Sequence, residues 1–227
     1  MRYKCLVFDH DDTVVNSTAT IHHPCFEEYL KVYFPGRTCS LENYFIKNFN
    51  PGFLPMCYQE YGMTDEDLEV EGEFWKDYVR TRIPVAYPGI REIMERHKAQ
   101  GGLLCVVSHS FEENIRRDYA ANGLPAPDAV FGWEQPLERR KPEPWPLQEI
   151  QRRFALRASD LLMIDDLKPG YDMAAAAGVD FAGVGWANDI PLIEEFMRAN
   201  CARYFKTPGE LAAFLWETEA EGGERRG

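Results

Sequence analysis

Short apolar runs separated by helical patterns fill most of this chain, and that alternation restricts the fold more than any other feature. The runs are Cys5–Phe8, Leu103–Val107, Ala129–Phe131, Leu161–Ile164 and Phe181–Val184. Strands of this kind, alternating with helices, belong to a parallel sheet with crossover helices. The helix signals lie where that fold needs them. Pro88-Gly89 precedes a helix ending at Gly101, and Ser110 with Glu113 reads as a capping box for a helix that Gly123 stops. Thr207, Pro208 and Glu210 repeat the start signal. The expected class is α/β, with a Rossmann-like parallel sheet as its core.

One stretch breaks the pattern. Residues 16–87 show helical patterns and turns but no buried strand, and Thr64-Asp65-Glu66-Asp67 opens a helix carrying Phe74, Trp75 and Tyr78. The stretch holds 14 of the 30 aromatic residues and carries six basic against eleven acidic side chains. It reads as an all-helical insertion after the first strand, with hinges near Val14–Ser17 and Arg82–Pro88. The expected organisation is a core of residues 1–15 and 88–217, an insertion of 16–87 and a polar tail of 218–227.

Composition narrows the function. A chain of 227 residues with 45% hydrophobic content buries a sizeable core, and a net charge of −12 disfavours general nucleic-acid or anionic-membrane binding. No apolar run approaches the ~18 residues of a spanning helix, and no signal peptide is read at the N-terminus. The six cysteines are scattered, with neither a C-x-x-C pair nor zinc spacing. A cytoplasmic protein is expected, without nucleic-acid or membrane partners; its oligomeric state is left open.

The chemistry concentrates at strand ends. Asp9, Asp11 and Asp12 follow the first apolar run, and Asp165-Asp166 follow the run Leu161–Ile164. Acids clustered at the C-terminal edge of an open α/β sheet face the ligand crevice and repel one another unless a cation is present. An acidic loop that merely caps the next helix is the plain alternative. A calcium loop is excluded, because its glycine and glutamate positions hold Val14 and Thr20. Two such clusters favour a shared divalent cation, and magnesium suits carboxylates, waters and a phosphate oxygen.

Two further features fit an anion. Ser108 ends the run Leu103–Val107 just before a helix start, where free N–H groups collect. Arg139-Arg140-Lys141-Pro142 is a basic knot in an acidic chain, and Lys141, fixed by the following proline, is suited to neutralise phosphate charge.

The order D-x-D-x-T at Asp9, Asp11 and Thr13, then Ser108, then Lys141-Pro142, then Asp165-Asp166 before Gly170–Gly178 resembles the haloacid dehalogenase-like superfamily. The resemblance spans Arg2 to Trp216. Aspartate rather than tyrosine at the third motif position resembles the phosphatase and phosphomutase branches. The insertion after Thr13 is similar to the family's helical cap. The resemblance implies a magnesium-dependent phosphatase acting on a small phosphate monoester through an aspartyl-phosphate. Asp9 is then the nucleophile and Asp11 the general acid and base. Ser108, Lys141 and the backbone at His10 and His109 bind phosphoryl oxygens. Asp9, Asp166, Asp165 and the Asp11 carbonyl hold Mg2+.

Some residues depart from the family pattern. His10 takes the usual apolar place between the aspartates and either faces the substrate or packs against the cap. Lys168 stands where a small hydroxyl residue is common and reads as solvated. His22 and His23 read as structural residues of the cap. The rival functions are a phosphomutase, which needs a bisphosphate primer, and a catalytically idle binding or regulatory protein. Lys141 is the one cation that the sequence places in the cleft, which favours a monophosphate with a neutral, compact or planar leaving group.

Overall fold

The computed structural model describes residues 2–216, so the expected tail of 218–227 lies outside the described residues. In chain order the elements begin with β1 (Cys5–Phe8) and β2 (Val15–Asn16), then a π-helical turn, Thr18–His22. Next come α1 (His23–Tyr33), α2 (Leu41–Phe49), α3 (Phe53–Met56), α4 (Asp65–Val79) and β3 (Val85–Ala86). The chain continues through α5 (Ile90–Ala99), β4 (Leu103–Val107), α6 (Glu112–Ala121), β5 (Ala129–Phe131) and α7 (Trp145–Phe154). It finishes with β6 (Leu161–Asp165), α8 (Lys168–Ala177), β7 (Asp180–Val184), α9 (Pro191–Asn200), β8 (Tyr204–Phe205) and α10 (Pro208–Trp216).

Six strands form one parallel sheet in the order β5-β4-β1-β6-β7-β8, so β1 is central. Side chains alternate faces along each strand. Leu6, Phe8, Leu104, Val106, Leu162 and Ile164 pack on one face, with residues of α5, α6 and α10. Cys5, Val7, Cys105, Val107, Leu161 and Met163 pack on the other, with α7, α8 and α9. Burial on both faces explains why these strands read as continuous apolar runs. Among the described residues no helix is long and apolar enough to cross a membrane.

The helices between β2 and β3 have their own apolar cluster, which includes Phe26, Tyr29, Leu30, Tyr44, Met56 and Tyr61. β2 and β3 pair antiparallel, so the chain leaves and re-enters the core through one two-stranded link. A second contact was not anticipated. Phe45 and Phe49 of α2 belong to a core cluster, and the Phe49 ring meets Phe196 of α9 edge-on at 5.2 Å.

The Thr64 capping box forms, with Asp67 donating its backbone N–H to Thr64 and accepting from the Thr64 N–H. The box expected at Ser110 does not. The N-cap of α6 is Phe111, without a side-chain hydrogen bond, and Ser110 Oγ instead donates to the Asp11 carboxylate at 2.6 Å. A charged acceptor makes the stronger hydrogen bond, so the hydroxyl is drawn from the helix to the carboxylate.

Candidate active site

The C-terminal ends of β1, β4 and β6 lie side by side, which brings Asp9, Ser108 and Asp165 to one edge of the sheet. Asp9, Asp165 and Asp166 are all buried, and each offers an oxygen within 4.8 Å of the other two. Lys141 reaches this group from the loop before α7, with Nζ 2.8 Å from Asp9 Oδ1 and 2.8 Å from Asp165 Oδ2. Burial alone favours a neutral amine, but Asp165 and Asp9 hold the lysine protonated, above its ordinary value. Among the described residues Asp166 has no cation in contact, and its Oδ1 accepts from the Thr13 hydroxyl at 3.2 Å. Burial, then Asp165 and Asp12, push its carboxyl well above the usual range.

This donor set suits a divalent cation. With one ammonium among them, the three buried carboxyls can all be ionised only when a further cation is bound, and their oxygen donors favour a hard one. Asp11 does not share in that cluster through its side chain. Its Oδ1 accepts from Ser17 Oγ at 2.7 Å and from His22 Nε2 at 2.9 Å, and its Oδ2 from Ser110 Oγ at 2.6 Å. Ser108 Oγ is 3.4 Å from the same Oδ2. Burial opposes the charged form of Asp11, but His22 and these donors outweigh it and hold the carboxyl well below its usual range.

His22, read from the sequence as a structural residue of the insertion, instead lies against Asp11. Trp75 of α4 donates its indole N–H to His22 Nδ1 at 3.0 Å, and the two rings stack with centroids 5.7 Å apart. An indole only donates, so Nδ1 carries a lone pair and the imidazole proton sits on Nε2, directed at Asp11. The hint in the sequence was its place in the first turn after the hinge. His23 is structural as expected, with Nε2 2.7 Å from the Cys39 carbonyl. His10 faces neither the cleft nor the insertion: it is 1% exposed, pairs with Asp118 of α6 at 3.2 Å and stacks on Tyr119. His109 is an exposed residue, with its ring edge-on to Trp133 and Nε2 3.1 Å from the Lys141 carbonyl. Lys168 pairs with Asp172 one turn along α8.

The family model for haloacid dehalogenase-like hydrolases matches residues 6–184. The chain belongs to that family. The phosphoglycolate phosphatase of Haemophilus influenzae is 24% identical over 204 residues, 85% of this chain and 91% of that one. The phosphoglycolate phosphatase of Mesorhizobium japonicum is 30% identical over 110 residues, so the match spans about half (48%) of each chain. A crystal structure from Haemophilus somnus, assigned by prediction as a phosphoglycolate phosphatase, superposes with a TM-score of 0.75 at 21% identity, covering 96% of this chain and 99% of that one. The fold is thus that of the haloacid dehalogenase-like hydrolases, and the relatives set the chain among the family's phosphatases.

Proposed function

We propose that this hydrolase cleaves a compact phosphate monoester through an aspartyl-phosphate, with Mg2+ held by Asp9, Asp165 and Asp166. Phosphoglycolate, named for its relatives, is the first substrate to test. The observation that carries this reading is the position of Asp9. Its Oδ1 is anchored by Lys141, while among the described residues Oδ2 has no hydrogen-bond partner and is free to attack phosphorus.

In the first half-reaction Asp9 Oδ2 forms a bond to phosphorus as the bond to the leaving oxygen breaks. Asp11 gives that oxygen its proton. In the second, Asp11 takes a proton from the water that attacks the aspartyl-phosphate, and phosphate leaves with Asp9 restored. The four donors around Asp11 favour its carboxylate, the form that the second step needs. An incoming phosphate dianion raises its proton affinity and prepares the acid form. The Ser108 hydroxyl and the Lys141 ammonium stabilise charge growing on the phosphoryl oxygens. Bound Mg2+ neutralises the acidic cluster and draws charge from the phosphate. Residues 16–87 act as a lid that excludes water from the first step.

Phosphate release from a panel of monoesters under magnesium tests the reading. Release abolished by Asp9→Asn and by EDTA is the expected result. Hydrolysis that survives either treatment overturns it, and a requirement for a bisphosphate primer marks a mutase instead.

A further inference from the structure

The space between the insertion and the core, over Asp11, amounts to ≈ 10 Å³, room for about one water molecule. A phosphate ester enters only if the helical insertion moves, so some contact must hold it in the closed position and release it.

Beside the packing of Phe49 on Phe196, α6 supplies a polar contact of this kind. Arg117 Nη1 donates to the carbonyls of Val79 at 2.9 Å and Arg80 at 3.0 Å, and Nη2 donates to that of Arg82 at 3.1 Å. Val79 is the last residue of α4, so a guanidinium meets carbonyls at the negative end of that helix. One and a half turns later, Asn122 holds the returning strand, donating to the Pro84 carbonyl at 2.9 Å and accepting from the Ala86 N–H at 2.8 Å.

The same arginine reaches back into the core. Its Nε donates to Asp118 Oδ1 at 2.8 Å, and Asp118 Oδ2 lies 3.2 Å from His10 Nε2. An ionised carboxylate only accepts, so His10 donates from Nε2. His10 stands between Asp9 and Asp11, and its burial against Tyr119 fixes the peptide that carries both.

We propose that Arg117 is a positioning residue that latches the insertion closed by binding the last carbonyls of α4, and that Asp118 and His10 join this latch to the peptide between Asp9 and Asp11. Closure brings His22 onto Asp11, so the latch aligns the general acid only when the cleft is shut. This inference rests on the reading of residues 16–87 as a lid over Asp9. Lysine in place of Arg117 offers one compact charge and cannot span three carbonyls and Asp118 together.

The test uses the full chain and two readouts. Trypsin cleaves after Arg80 and Arg82, the residues whose carbonyls Arg117 grips. In folded Arg117→Met, cleavage at these two bonds, identified by mass, is expected to be at least about tenfold faster than in the parent. Arg117→Lys lies between. The second readout is the ratio of kcat for an alkyl phosphate to kcat for p-nitrophenyl phosphate, whose leaving group needs little protonation. That ratio falls about tenfold in Arg117→Met, and His10→Leu lowers it less. Parent-like cleavage together with an unchanged ratio in Arg117→Met overturns the proposal; if that variant does not fold, the same result in Arg117→Lys does so. Proteolysis requires no turnover, so a failed phosphatase reading shows in Asp9→Asn without touching this arm.

Discussion

Gly170 and Asp165 approach so closely that a Cβ placed on Gly170 lies 2.1 Å from Asp165 Oδ2. This contact lets the first turn of α8 pass directly over the acid that Lys141 also holds, at 2.8 Å from the same oxygen. Asp165 Oδ1 in turn accepts the Leu167 N–H at 2.8 Å, so the side chain is fixed from three sides. Gly170→Ala must push Asp165 away and disturb Lys141 and Asp9 with it. The forced shift costs ~1–3 kcal/mol, against a helix-propensity gain of ~1 kcal/mol. A displacement near 1 Å at reacting groups costs roughly 10²-fold in rate. A folded variant with near-parent kcat would show that Asp165 has room to move.

Asp166 tests the cation site independently of turnover. Its charge is disfavoured by burial and by Asp165, Asp12 and Asp9. Asp166→Asn removes one repelling charge while keeping a hydrogen-bond acceptor for Thr13. The metal-free variant is therefore expected to melt at or above the parent's temperature, while magnesium stops raising its Tm. Magnesium at a hundredfold excess over Kd stabilises the parent by about 2.7 kcal/mol. A lower Tm in the metal-free variant would make Asp166 a structural residue instead.

The sheet was legible because strands buried on both faces leave continuous apolar runs, and five of its six strands coincide with the predicted runs to within one residue. Asp9, Asp165 and Lys141 were legible because strand ends and a proline-fixed loop have recognisable local signatures. What escaped depends on contacts distant in sequence. Ser110 carried a convincing helix-start pattern, yet a carboxylate 99 residues earlier claims its hydroxyl. His22 gains its meaning only when Trp75, 53 residues on, fixes its tautomer. The two-residue strands β2 and β3 are too short to leave any periodicity, and they pair across the whole insertion. Arg117 carries no local signature, because its carbonyl partners lie 35 to 38 residues earlier in the chain.

Glu71 carries a pH dependence of its own. It is 7% exposed on α4 and has no ion-pair partner among the described residues, and burial pushes its carboxyl up to about 7, from an ordinary 4.5. The folded chain keeps a proton that the unfolded chain releases, so stability falls as pH rises from 4.5 to about 7. Above that window the penalty is complete, about 3 kcal/mol. Glu71→Gln removes the charge, so the variant is expected to gain most of that stability at pH ~8 and to match the parent near pH ~4. Urea unfolding at both values measures it. An equal change at the two pH values would mean that Glu71 is not the titrating group.

The cleft also limits the substrate. Its cavity is walled by His22, Trp75, Asn114 and Ser110 above Asp11. Charge decides what it admits. The sequence placed only Lys141 in the cleft, and the structure adds Arg82 and Arg117 to the cavity wall. Arg117, however, spends its donors on three carbonyls and Asp118. Arg82 donates to the Tyr78 carbonyl and stacks on the Tyr78 ring at 3.5 Å. A second phosphate would enter a cleft with Asp11 and Asp118 nearby and would lose its hydration without a free cation among the described residues to replace it. One compact carboxylate or hydroxyl group on the leaving alcohol asks far less. The expected order of kcat/KM is therefore compact monophosphates such as phosphoglycolate first, with sugar bisphosphates and nucleoside triphosphates at least about tenfold lower, the equivalent of 1.4 kcal/mol of transition-state binding. The comparison needs all substrates at equal free magnesium, because the polyanions chelate it. If the bisphosphates or triphosphates lead under that condition, Arg82 and Arg117 are available to substrate, and the limit set by the cleft is wrong.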